Sequence, residues 1–166
     1  VDREGPRGLR ACIVGPIILG NRRTTSSRTR TRTRAHRGVM STLFEPSGVI
    51  TVTTDFGHRG PFVGTMKGVI LSRFPSATIV DLTHEAYVHW PAEAGFWIAR
   101  SYHYFPLGTV HLAVVDPGVG TDRNVLLAFG AGHAFLAPDN GLLAEAIDRS
   151  NADVFHLSGT IIDACR

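Results

Sequence analysis

A chain of 166 residues with 43% hydrophobic and 19% charged residues has the balance of a folded domain, and its length allows one core with at most a small appendage. The formal net charge of +3 is unevenly placed: residues 1–39 hold ten arginines against Asp2 and Glu4, whereas residues 40–166 hold seven basic against twelve acidic residues. The globular part is acidic, so the basic balance argues for nucleic-acid contact only through the head.

The two cysteines, Cys12 and Cys165, stand near opposite ends with no C-x-x-C spacing. That pattern excludes a disulfide framework and a thiolate zinc site, and fits a reducing cytoplasm. The apolar run at 11–20 falls short of the roughly 20 residues that span a bilayer. Arginines follow it and no small-x-small cleavage site appears, which argues against a signal peptide and a membrane partner. The stretch 21–37, NRRTTSSRTRTRTRAHR, has no apolar periodicity and cannot build a core. Met40 stands just before the first strand-like segment, where a translation start is expected; residues 1–39 then read as translated upstream sequence. A basic tail that binds RNA phosphates is the alternative.

From residue 49 the pattern changes. Residues 49–56 (VITVTTDF) are β-branched and predict a strand. Phe62, Val63, Met66, Val69, Ile70 and Phe74 repeat at helical spacing over 62–74. A second strand is expected at 77–84, then a helix over 92–105 opened by Pro91. Residues 109–116 (TVHLAVVD) are apolar on both faces, as a buried parallel strand should be. A hairpin over 124–137 turning at 130–132, a short helix at 141–149 and a last strand at 153–157 complete the order. The succession predicts an α/β fold, a mostly parallel sheet flanked by helices.

Ligands of such sheets bind beyond the carboxyl ends of the strands. The first three strands end there in polar residues: Thr54 and Asp55; Asp81, Thr83, His84 and Glu85; and Asp116. Asp55 suits a turn or helix cap as well as a ligand contact. Asp81 is expected to pair with neighbouring backbone, and His84 to cap or orient. The other histidines (58, 89, 103, 111, 133 and 156) are expected at the surface or satisfied in the core, and Trp90 and Trp97 in packing. Asp116 and Arg123 stand apart, because the glycine-rich stretch between them could fold the guanidinium back onto the carboxylate. A carboxylate so held can orient a water molecule while staying ionised. The G-x-G in that stretch lacks the remaining residues of a nucleotide motif. A metal-dependent hydrolase using Asp55, His84 and Asp116 is a further alternative.

Five ordered stretches carry a resemblance: TTDFG (53–57), PFVGTMKGVI (61–70), IVDLTHE (79–85), YFPLGTVHLAVVDPGVGTDR (104–123) and APDNGLL (137–143). Together they resemble the S-adenosylmethionine (SAM) hydroxide adenosyltransferases, hydrolytic relatives of the SAM-dependent fluorinase and chlorinase. The resemblance runs from about residue 48 to 158 and leaves residues 1–46 untouched. It divides the chain into an arginine-rich head, 1–46, and an incomplete SAM-binding α/β domain, 47–166. It implies a further C-terminal β-barrel domain with no counterpart here, a homotrimer with active sites between subunits, and hydrolysis of SAM to adenosine and methionine.

By the same resemblance, Asp55 corresponds to the aspartate that holds the ribose hydroxyls, with Phe56 beside it. Asp116 and Arg123 correspond to two members of an Asp-Arg-His group that positions the attacking water. No metal and no cofactor are implied, SAM being the substrate. The halogenating relatives have tyrosine where this chain has Asp116, which favours hydroxide over halide transfer. The chain departs from the pattern at Gly60, where an acidic residue is usual, and at Phe62, where tyrosine is. The Phe-His-Gly-Arg-Asp segment that supplies the histidine is replaced after 158 by GTIIDACR, and His156 does not match it. Impaired activity is the expectation, with a non-catalytic truncated domain carrying a basic nucleic-acid-binding tail as the alternative.

Overall fold

The computed structural model describes residues 44–118 and 123–157. The arginine-rich residues 1–43, residues 119–122 and residues 158–166 lie outside the described residues.

Strand β1 (Val49–Thr54) leads into helix α1 (Phe62–Arg73), strand β2 (Thr78–Thr83) and helix α2 (Pro91–Ser101), which ends in a 3₁₀ turn at Tyr102–Tyr104. Strands β3 (Val110–Val114), β4 (Val125–Gly130) and β5 (His133–Pro138), helix α3 (Ala144–Ser150) and strand β6 (Asp153–Leu157) come next. The six strands form one sheet in the order β2-β1-β3-β5-β4-β6. The β2, β1, β3 and β5 neighbours run parallel, and β4 is antiparallel to both β5 and β6. The expected α/β architecture with a mostly parallel sheet is thus the one observed.

The sheet carries two local irregularities. The β4–β5 hairpin turns through Ala131 (φ 49°) and Gly132 (φ 79°), two consecutive residues in the left-handed region, as a tight two-residue hairpin turn requires. Between β1 and β2 the register slips by one residue, since Val52 faces Asp81 but Thr53 faces Thr83. Leu82 is the extra residue of a bulge, a device that bends a strand and re-aims the side chains after it.

The core lies on the sheet face covered by α2 and α3. Ala94, Ile98 and Ala99 of α2, Leu142, Leu143 and Ala146 at α3, and Ala113, Val115, Ala128, Phe135 and Ala137 of the sheet bury there. Small residues let the helices approach closely: a Cβ added to Gly95 of α2 would drive into the backbone carbonyl of Leu142. His111 and His133 belong to this face. Thr51 Oγ1 meets His111 Nδ1 at 2.8 Å, and His111 Nε2 lies 3.2 Å from His133 Nδ1. Both are satisfied core histidines, as expected.

Other expectations need correction. Helix α1 forms where its spacing predicts, but only Val63 buries, and Phe62 and Val69 remain 65% and 60% exposed. Trp90 and Trp97 were expected in packing, yet about half of each is exposed; Trp90 meets Tyr87 at a tilt and Trp97 meets Phe96 edge-on. The predicted helix at 92–105 stops at Ser101, because the chain tightens into the 3₁₀ turn before Pro106.

Candidate functional site

In the sheet order, β1 is the turning point: the chain goes from β1 outward to β2, then crosses back to β3 on the other side. The carboxyl ends of β1 and β3 therefore flank a topological switch point, where connections leave in opposite directions and a crevice opens. Thr54 pairs with Val114 in the parallel register, which sets Asp55 one residue and Asp116 two residues past neighbouring positions.

Asp116 follows Val115, which is fully buried and anchors the end of the strand. Its side chain is 5% exposed, and Oδ1 meets Arg123 Nε at 3.0 Å and accepts a 2.9 Å hydrogen bond from the Gly118 N–H. The guanidinium also donates to the carbonyl of Asp139 at 3.3 Å. The Asp139–Asn140 loop is fastened in turn: Asn140 Nδ2 donates to the carbonyl of Val115 at 2.8 Å, while its Oδ1 accepts from the Leu142 N–H. Asn140 thus holds the residue directly before Asp116. The APDNG stretch flagged this loop in the sequence, but nothing there named the partner of the asparagine, 25 residues away.

Asp116 and Arg123 line a cavity of about 300 Å³ whose apolar walls include Leu112, Val114, Val125 and Leu136. That is the lower end of the size range of small-molecule sites.

Asp55 and Phe56 sit in the β1–α1 turn. Asp55 Oδ2 accepts a 3.1 Å hydrogen bond from the backbone N–H of His89, which is itself left-handed at φ 62°. The Phe56 ring meets Phe62 edge-on at 6.1 Å. Below the turn, Thr54 Oγ1 lies 2.8 Å from His84 Nδ1, and His84 Nε2 lies 3.1 Å from Asp81 Oδ1, off the line a formed hydrogen bond prefers. Lys67 Nζ donates to Asp81 Oδ2 at 2.6 Å. Burial acts to raise the Asp81 pKa, but the Lys67 and His84 contacts outweigh it and hold the carboxyl below its ordinary value. Asp81 was expected to pair with neighbouring backbone; its side-chain partners are instead Lys67 and His84.

Asp55, His84 and Asp116 do not form one centre. His84 directs its ring nitrogens at Thr54 and Asp81, and among the described residues no three His, Cys, Asp or Glu side chains stand together at metal-binding range. His156 is exposed and lies 3.6 Å from Asp139. No helix among the described residues is long and apolar enough to cross a membrane.

Residues 50–162 match the family model of the SAM hydroxide adenosyltransferase N-terminal domain. An (R)-S-adenosyl-L-methionine hydrolase of Thermus thermophilus is 40% identical over 93 residues, which are 56% of this chain and 36% of that protein. One from Salinispora tropica is 40% identical over 102 residues, 61% of this chain and 38% of that protein. The crystal structure of an uncharacterized conserved protein from Thermotoga maritima superposes with a TM-score of 0.63 at 35% identity, covering 66% of this chain and 43% of that one. The chain therefore spans well under half the length of these relatives. With the matched family model covering the whole sheet and both strand ends that bear the carboxylates, the chain belongs to the SAM hydroxide adenosyltransferase family.

Proposed function

We propose that this chain carries the water-positioning part of a site that hydrolyses SAM to adenosine and methionine. The observation that carries the reading is the Asp116 carboxylate, nearly buried at the switch point and clamped by Arg123 and the Gly118 amide. Both donors engage Oδ1, and Oδ2 is the oxygen assigned to the water.

The chemistry asks little of the protein beyond position. The sulfonium already activates the 5′ carbon of SAM: water forms the C5′–O bond as the C5′–S bond breaks, its electron pair goes to sulfur as methionine leaves, and the proton passes to solvent. A carboxylate is a weak base toward water, so alignment and stabilisation of developing positive charge on the water are its contribution. No cofactor is consumed. Asp55, an acceptor-only carboxylate next to the planar Phe56, suits the two hydroxyls of a ribose. A fixed negative charge at the nucleophile position disfavours a halide, so hydroxide transfer is preferred to halogenation.

The remaining adenine and methionine contacts would come from further protein surface, in a trimer whose sites lie between subunits. Incubation of the purified chain with SAM, with and without chloride, tests the reading by mass spectrometry. Adenosine and methionine are expected in both cases, with adenosine lost in Asp116→Ala. Formation of 5′-chloroadenosine, or adenosine formation that survives the substitution, would count against it.

A further inference from the structure

The Lys67–Asp81–His84–Thr54 chain at the β1–α1 turn, buried at Thr54 and His84, has no place in the reaction as proposed, yet it leads to Asp55. The Leu82 bulge turns His84 inward, where it is 1% exposed. A buried imidazole with a hydroxyl on one nitrogen and a carboxylate facing the other has little freedom of tautomer. Asp81, tied to Lys67, faces Nε2 at 3.1 Å without the alignment of a formed hydrogen bond, and its negative charge favours the proton on that nitrogen; Nδ1 is then the acceptor and the Thr54 hydroxyl its donor. The same Thr54 oxygen, its hydrogen committed, accepts from the Phe56 N–H at 3.3 Å. That contact, from a side chain to the amide two residues on, is a local turn that sets the backbone of the intervening residue. The intervening residue is Asp55.

Backbone ties run the same way. The His84 carbonyl accepts from the Gly57 N–H at 2.8 Å, and the Thr54 carbonyl accepts from the Ala86 N–H at 3.3 Å. Side chain and main chain of His84 together bracket the Thr54–Gly57 turn. Thr54 and His84 are both buried, so the hydrogen bond between them does not exchange with water.

We propose that His84 is a positioning residue: through the Thr54 hydroxyl it fixes the Asp55–Phe56 turn in the form that receives the ribose of the substrate. This rests on the assignment of Asp55 to the ribose hydroxyls and adds the device that orients it.

Two substitutions separate the links. His84→Asn keeps an acceptor where Nδ1 stands and so retains the Thr54 bond, whereas His84→Gln keeps a polar atom where Nε2 stands and loses it. Amide hydrogen exchange of the full chain, with adenosine as the binding probe, reads both. In His84→Gln the Phe56 amide is expected to exchange about tenfold faster and adenosine to bind about tenfold more weakly. The Ala113 amide in β3 should stay protected, and His84→Asn should restore both values toward those of the unsubstituted chain. Should His84→Gln also expose Ala113, Thr54→Val, which keeps the shape and removes only the hydroxyl, is expected to give the local effect alone. Unchanged Phe56 exchange in His84→Gln would overturn the proposal, as would faster exchange there with adenosine affinity intact. An unsubstituted chain that binds no adenosine would instead overturn the ribose assignment of Asp55, and the proposal with it.

Discussion

Asp116 is held by contact as much as by burial. An exposed ion pair contributes little, but here the acid is 5% exposed and its partner 35%, and hydrogen bonds from Arg123 to the Asp139 carbonyl and from Asn140 to the Val115 carbonyl fasten the two loops together. Asp116→Asn keeps the shape and removes the charge, so adenosine formation should slow about a hundredfold or more while SAM affinity changes little, measured by steady-state kinetics beside calorimetric binding. A second residue effect concerns stability. Burial, and then the neighbouring His133, lower the pKa of His111 from 6.5 to about 3. The folded chain keeps this imidazole neutral while the unfolded chain takes up a proton below 6.5, so stability is full above that pH and is lost as pH falls toward 3. The unfolding free energy from urea titrations between pH 7 and 4.5 should fall by roughly 1 kcal/mol per pH unit once below 6.5, and His111→Phe should flatten the slope. Asp81, whose carboxyl titrates below its ordinary 3.8, acts outside that window.

Among the elements, α2 is the one whose fit is least adjustable. Alanine normally stabilises a helix interior relative to glycine, but at Gly95 its methyl meets the Leu142 carbonyl next to α3. Gly95→Ala is therefore expected to destabilise by about 1–3 kcal/mol in a denaturant titration, opposite in sign to propensity. Elements such as β1 and β3 were readable in the sequence, because β-branched runs ending in polar residues have few other uses. Asp116 and Arg123 were readable for a related reason: both lie on one short loop, so their meeting needs only local geometry. The Lys67–Asp81–His84–Thr54 chain was not, since it depends on a one-residue bulge and on the register of β2 against β1, neither of which leaves a mark in the sequence. The exposure of α1 was hidden too, because helical spacing shows which face is apolar but not whether anything covers it.

At the scale of the molecule, an acidic globular part is joined to a head carrying ten arginines, and the globular part keeps Tyr87, Val88, Trp90, Tyr104 and Leu107 more than half exposed. Isolated apolar side chains at a surface are ordinary, whereas exposed aromatic residues in contact, as Tyr87 with Trp90, are the composition of contact surfaces. That agrees with the proposal of a site completed by other protein surface, to which the carboxylates after β1 and β3 would supply the ribose and water contacts. The proposal that water, aligned by Asp116, attacks the 5′ carbon of SAM is tested by running the reaction in oxygen-18 water and locating the label by mass spectrometry. One heavy oxygen is predicted in adenosine, none in methionine, and no labelled adenosine from Asp116→Ala; adenosine without the label, or label carried by methionine, would contradict the claim.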